Sequence, residues 1–343
     1  MSMYRPRRVV AALALAGLCV TAASCRKPTH VYFTSHGNKI NTLQRCPLDS
    51  PRLESVVEDT GPQFGGLAVS SRWGRILWAS NRKDWAIFAT SFDGGYSAGL
   101  VPGEPHEPVG SFAVDEMYGE LYYAVSMATQ ERRHQIRRIN FKERKVHTVV
   151  DMEPRVAVSG LALDVPRDRM YWFAVRVDAS APLDDRVAFH RRSWPCSLWR
   201  ADLSGGHRTC LIPESAGLKG AVRIALDTKS QQLYWTKRSP DSIQCVSLAE
   251  PGCPVRQVWP PKDRPAAKPQ VKCPFGIGVD RHRGRVYWAD VTAYHIAWAA
   301  FDGSAAGVLV KVPPQRGTEP YPTCLGVLHS AWGPWPSLTV SGP

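Results

Sequence analysis

The apolar and polar positions of this chain recur as a phrase with the period of strands, not of helices. An apolar run alternates and ends in a small polar or acidic residue, a polar turn follows, and a second run closes on two large apolar residues. The phrase reads Phe112-Ala113-Val114-Asp115 with Tyr122-Tyr123, Leu161-Ala162-Leu163-Asp164 with Tyr171-Trp172, Ile224-Ala225-Leu226-Asp227 with Tyr234-Trp235, and Ile277-Gly278-Val279-Asp280 with Tyr287-Trp288. Leu67-Ala68-Val69-Ser70 with Leu77-Trp78 is a fifth, weaker copy. In all five the strand-ending residue precedes the pair by seven positions. Short β-branched and aromatic runs around polar turns predict β-hairpins.

Each hairpin is followed by an apolar pair five residues apart: Ile87 and Phe92, Ile136 and Phe141, Leu198 and Leu203, Ile243 and Leu248, Ile296 and Phe301. Turns such as Asp93-Gly94-Gly95, Ser204-Gly205-Gly206 and Asp302-Gly303-Ser304 come next, then a short apolar strand. Four strands in a repeat of roughly 40–50 residues make a propeller blade. The termini complete the count. His30–Thr34 reads as a second strand without a first, and Leu325-Gly326-Val327 as a first strand without a second. The expected fold is therefore all-β, a six-bladed β-propeller of four-stranded antiparallel blades. The C-terminal strand joins the N-terminal blade and closes the ring, which removes exposed sheet edges. The expected organisation is a leader over residues 1–24, one propeller over 25–336 and a tail over 337–343.

Repetition of Leu-Ala-Leu-Asp, Tyr-Trp and Asp-Gly-Ser over residues 30–330 resembles the YWTD propellers, the class B repeats of low-density-lipoprotein-receptor-type proteins. The resemblance implies an extracellular module for protein recognition or structure. The departures lie in the last two motif positions: Thr236 keeps the third, Asp290 is the acid at the fourth, and Ala79-Ser80, Ala124-Val125 and Phe173-Ala174 stand elsewhere.

Composition adds the compartment. Arg5, Arg7 and Arg8 precede an apolar run from Val9 to Val20 and the small residues Thr21–Ser24, the order of a secretory leader. Ala22-Ala23-Ser24-Cys25 also resembles a bacterial lipobox, so Cys25 is a lipidation candidate and, alternatively, a structural cysteine. The chain has nine cysteines, and export permits disulfides. Placed across third-to-fourth-strand turns, Cys196 would face Cys210 and Cys245 would face Cys253. Cys25 and Cys46 flank a turn at His36-Gly37, and Cys273 and Cys324 precede adjoining inner strands. These positions suggest four bridges if Cys25 carries no lipid.

The formal charge is +13, from 43 Lys and Arg against 30 Asp and Glu. Spread over every blade of an exported protein, it argues against nucleic acid and permits an acidic partner. Two long connections fall on one face of the ring: residues 175–195, with Arg186, His190, Arg191, Arg192 and Trp194, and residues 260–272, with Lys262 and Arg264. Long loops on a rigid scaffold are where binding residues concentrate. The expected function is non-enzymatic recognition of a protein or glycan, without cofactor, reaching a membrane only through an N-terminal lipid. The alternative is a lactonase-like hydrolase with Ca²⁺ and a small-molecule site at the channel mouth. Gly95-Tyr96-Ser97-Ala98-Gly99 matches a hydrolase pattern, but it falls on a hairpin tip where no strand-turn-helix elbow can expose the serine. The recurring acids Asp115, Asp164, Asp227 and Asp280 are expected to bond the backbone N–H groups of their own turns.

Overall fold

The computed structural model describes residues 28–36, 42–58, 66–80, 85–103, 109–126, 134–177, 194–312 and 321–329. The strands are β1 (Pro28–His36), β2 (Thr42–Pro47), β3 (Glu54–Val57), β4 (Leu67–Ser70), β5 (Arg75–Ala79), β6 (Trp85–Thr90), β7 (Ser97–Pro102) and β8 (Val109–Asp115). They continue as β9 (Glu120–Ser126), β10 (His134–Asn140), β11 (Val146–Asp151), β12 (Val156–Asp164), β13 (Arg169–Arg176), β14 (Cys196–Ala201), β15 (Thr209–Ile212) and β16 (Ala221–Asp227). The last are β17 (Gln232–Lys237), β18 (Ser242–Ser247), β19 (Arg256–Trp259), β20 (Pro274–Asp280), β21 (Arg285–Asp290), β22 (His295–Ala300), β23 (Ala306–Lys311) and β24 (Tyr321–His329).

Five sheets take four consecutive strands each, from β4–β7 to β20–β23; the sixth has the order β24-β1-β2-β3. This is the six-bladed, all-β propeller the repeats predict. Blade 1 is closed by β24, which pairs antiparallel with β1 from Pro28↔His329 to His36↔Tyr321.

The aromatic pair explains why the blades stack. Neighbouring residues of a strand point to opposite sheet faces, so each pair reaches both adjoining blades. Tyr171 packs into the junction of blades 4 and 5, and Trp172 into that of blades 3 and 4. Tyr234 and Trp235 divide in the same way, as do Tyr287 and Trp288, and Tyr32 and Phe33. Trp78, Trp172, Trp235 and Trp288 are all essentially inaccessible to solvent. Each blade is thereby held on two sides by large buried side chains, each of which contributes about 1.5–3 kcal/mol on burial.

A second regularity doubles the period. Tyr32 of blade 1 donates to Phe92 O of blade 2 at 3.4 Å, and Tyr122 of blade 3 donates to Leu203 O of blade 4 at 3.2 Å. Tyr234 of blade 5 stacks on Phe301 of blade 6 at 5.0 Å, whose carbonyl accepts from Arg256 Nη1 at 3.3 Å. The turns that follow bring Gly94, Gly205 and Gly303 against the carbonyls of Val56, Val149 and Val258 on the outer strand of the preceding blade. This arrangement recurs at junctions 1–2, 3–4 and 5–6; the others are bridged differently, by Trp73 Nε1 to Glu116 O at 3.1 Å between blades 2 and 3, Gln231 Nε2 to Asp164 at 2.8 Å between blades 4 and 5, and Arg283 Nη2 to Asp49 at 2.6 Å between blades 6 and 1.

The inner-strand acids are buried at the opposite end from the long loops. Asp115 accepts from Met117 N and Tyr118 N at 2.8 and 3.1 Å, Asp227 from Lys229 N at 3.1 Å, and Asp280 from Arg283 N at 3.0 Å, all in their own turns as expected. Ser70 does the same for Trp73 N at 3.2 Å. Asp164 departs from the pattern. Two residues on stands Pro166, which has no N–H to give, the turn tightens to a 3-10 helix, and Asp164 instead accepts from Gln231 Nε2 of blade 5 at 2.8 Å.

His134, at the start of β10, is densely surrounded, and burial pushes its pKa down to about 4. Its folded-state pKa lies below the ordinary 6.5, so the neutral ring stabilises the fold above that value. This contribution is lost as pH falls from about 6.5 towards 4. Denaturant midpoints measured between pH 7 and 4 should fall less in His134→Gln than in the parent chain.

Candidate functional site

The inner strands β4, β8, β12, β16, β20 and β24 line a central channel of about 210 Å³. Its lining combines apolar residues such as Phe112, Leu161 and Ile277 with Gly66, Ser111, Gly160 and Gly276, and among the described residues Arg223 is the one charged residue that lines it. β-bulges in β8, β12, β16 and β20 fall at the end of the channel where the long loops lie. Side chains staple the blades there. Ser111 Oγ accepts from Gly160 N at 2.8 Å, and Thr236 Oγ1 donates to Phe275 O at 2.8 Å. Thr236, the retained third motif position, therefore joins blade 5 to blade 6. Asp290, the retained fourth, is fully buried and accepts from Lys272 N and Ala293 N at 2.8 and 2.9 Å.

Between blades 5 and 6 these staples support a group of cations. The guanidinium carbon of Arg223 lies 4.8 Å from the centre of the Phe275 ring, and that of Arg238 5.5 Å from it. Both are cation–π distances. The crossover from blade 5 to blade 6 runs beside them. Trp259 Nε1 donates to Pro269 O at 2.8 Å, and Arg264 N to Pro261 O and Ala267 N to Arg264 O at 3.0 Å each. From 267 to 272 the chain alternates: Ala267, Pro269 and Val271 turn inward, while Lys268, Gln270 and Lys272 face solvent. Lys262 and Arg264 are exposed on the same crossover, and Asp263 approaches Arg264 at 3.8 Å. Asp241 lies near Arg238, and burial pushes its carboxyl above the usual range.

The structure separates the residues singled out from sequence. Lys262 and Arg264 lie exposed on the crossover itself. Trp194 does not: it packs against the apolar core between blades 4 and 5. Arg186, His190, Arg191 and Arg192 lie outside the described residues, as does Cys25. Arg223, Arg238 and Phe275 were not singled out. A signal for Arg223 was present, because the position before each inner-strand motif is Gly66, Ser111, Gly160, Arg223, Gly276 and Cys324. One arginine stands among five small residues.

The cysteine registers need correction. A bulge follows Leu198, and Cys210 lies opposite Trp199, three positions from Cys196. Cys245 lies opposite Arg256, three positions beyond Cys253, and faces blade 6 while Cys253 packs towards blade 4. Three positions of strand amount to about 10 Å, beyond disulfide reach. Both turns extend further along the chain than symmetric hairpins would. Cys46, Cys196, Cys210, Cys245, Cys253 and Cys273 carry free thiols. Burial pushes the Cys46 thiol up to about 11 and that of Cys196 higher still, so neither is a reactive thiolate. Cys273 precedes β20 and Cys324 lies within β24; these inner strands adjoin. Ser97 of the hydrolase-like pattern begins β7, where its hydroxyl meets Thr90 Oγ1 at 2.9 Å.

A closed ring of six blades, each wedged by an aromatic pair, around a central channel defines a scaffold of the propeller class. Comparison with known proteins gives the same class. No family model matches the chain. A low-density lipoprotein receptor-related protein 1 of Pyricularia oryzae is 27% identical over 147 residues, which span 42% of this chain and 43% of that protein. Among solved structures, a chain from a nidogen/laminin complex superposes with a TM-score of 0.66 at 16% identity, over 89% of this chain and 100% of that one. TolB from Acinetobacter baumannii superposes with a TM-score of 0.62 at 12% identity, over 88% and 66%. At such identities the superpositions bear on the fold alone. They show a six-bladed propeller, and the repeats and the receptor-related relative make the chain similar to the YWTD propellers, the class B repeats of low-density-lipoprotein-receptor-type proteins. Among the described residues no helix is long and apolar enough to cross a membrane, and no group of three His, Cys, Asp or Glu is placed to hold a metal ion.

Proposed function

We propose that this chain is an exported, non-enzymatic module that binds a protein partner on the face carrying the strand 2–3 loops and the crossovers. One observation carries the reading: exposed cations collect on a crossover pinned to the rigid ring, beside the channel mouth. The scaffold supplies pre-organisation, which lowers the ordering cost of binding. The superposed chain belongs to a nidogen/laminin complex, and a similar propeller in a protein complex supports protein recognition here. The module works without a cofactor in this reading. The channel's charged wall residue is cationic and would repel the Ca²⁺ that a channel-mouth hydrolase requires.

The test begins with partner capture on the immobilised mature chain, followed by amide hydrogen exchange of the complex. Slowed exchange is expected in the loop-face connections 214–220, 237–241, 260–273 and 291–294. Protection confined to the turns around Gly94, Gly205 and Gly303 would place the interface on the other face and refute the reading.

A further inference from the structure

Resting on that reading, the geometry points to a narrower partner chemistry: we infer that the blade 5–6 sector of the loop face receives an acidic peptide segment. The sector presents Lys262, Arg264, Lys268 and Lys272 on the crossover, and Arg238 and Arg223 towards the channel. Three acids lie nearby, and each is already engaged. Asp290 is buried and spends both oxygens on backbone N–H groups, Asp263 leans on Arg264, and Asp241 is half-buried beside Arg238. The outward charge of the sector is therefore positive.

Two features make the sector a receptor surface and not a solvated lysine-rich loop. The first is rigidity. Trp259, Ala267, Pro269 and Val271 fasten the crossover to the blade by hydrogen bonding and burial. Lys268 and Lys272 are both exposed on the solvent side of this fastened segment. The second is crowding of like charge. Arg223 and Arg238 share one aromatic ring, so their guanidinium carbons lie within roughly 10 Å of each other. This is about one Debye length at 0.1 M salt, so the two charges sense each other in solution; Asp241 beside Arg238 offsets part of the repulsion and an arriving carboxylate relieves the rest. A long anionic segment can lie from the crossover to the channel mouth and meet both groups of cations.

Fluorescence anisotropy with a fluorescein-labelled octaglutamate peptide at low salt tests the inference. The variant Lys262→Glu/Arg264→Glu/Lys268→Glu should raise the apparent Kd at least about tenfold. The control Lys142→Glu/Arg144→Glu/Lys145→Glu makes the same charge change on the opposite face and should alter Kd less than about threefold. Arg238→Gln, a single substitution away from the crossover, should weaken binding by about threefold or more. Equal losses in the two triple variants would reduce the effect to net charge and overturn the proposal. So would binding of a heparin-derived octasaccharide without binding of octaglutamate. If the sector variant leaves peptide binding intact while the captured partner still protects loop-face amides outside 260–273, the sector assignment fails and the face assignment stands. Protection confined to the opposite face overturns both.

Discussion

Deletion of residues 319–343 is expected to abolish the cooperative unfolding transition that the full chain shows by circular dichroism and calorimetry. The deletion removes β24, the inner strand of blade 1. Along β1, from His30 to Phe33, every residue has a backbone partner on β24, and Val31, Tyr32 and Phe33 are fully buried. Leu325 and Val327 pack directly over Gly278 of blade 6, and Gly326 lies against Val69 of blade 2. One strand therefore contacts three blades. Its loss exposes the inner edge of β1 as an unpaired template and opens two blade junctions. Burial of Leu325 contributes about 1.5–3 kcal/mol, and the partly buried Val327 adds to it, against a total stability of about 5–15 kcal/mol. A shortened chain that melts within a few degrees of the full one would refute ring closure as a stabilising device. A milder variant, Gly278→Val, leaves the strand in place and crowds Leu325 and Val327; it should lower the transition without abolishing it.

Ring closure was legible in the sequence because both termini carry half of a phrase repeated whole elsewhere. The aromatic pair was legible for the same reason, and its two-sided packing follows from strand alternation. What escaped was set by register, not by pattern. Asp164 carries the same motif as Asp115, yet Pro166 withholds the N–H that its carboxylate would take. Cys196 and Cys210 looked like cross-strand neighbours because their midpoint fell on the turn, but the bulge after Leu198 and the turn's own asymmetry move them apart. Trp194 read as a loop aromatic beside arginines, whereas the nearby apolar core of blades 4 and 5 takes it in. Arg223 is the opposite case. It sits in an apolar inner strand, where alternation says only which sheet face it takes, and its meaning depends on Phe275 and Arg238 outside that strand. A binding surface assembled across two blades and a crossover has no local signature.

The seating of third-to-fourth-strand turns on the preceding blade gives the other large effect. Gly205→Ala should destabilise the protein far more than Gly252→Ala, although both glycines lie in third-to-fourth-strand turns and both have positive φ, +92° and +72°. The left-handed conformation costs an alanine about 1–2 kcal/mol at either site. At Gly252 a Cβ would meet nothing within 4 Å, so that cost is the whole effect. At Gly205 the same Cβ would enter the van der Waals shell of Val149 O, a backbone atom in the outer strand of blade 3 that cannot rotate away. Relief requires the turn to lift off blade 3. That breaks the 3.2 Å bond from Tyr122 to Leu203 O and uncovers the 3.2 Å bond from Arg208 Nη1 to Asp151 O. A net loss of about 0.5–1.5 kcal/mol per hydrogen bond added to the conformational cost brings the expected destabilisation to about 3–4 kcal/mol. Gly94→Ala and Gly303→Ala occupy the same place at junctions 1–2 and 5–6, and should fall in the same range. Chemical denaturation of the four variants checks this. Three similar large losses beside one small loss would establish that these turns are seated on the preceding blade, whereas losses that follow φ alone would show that the seating contributes nothing.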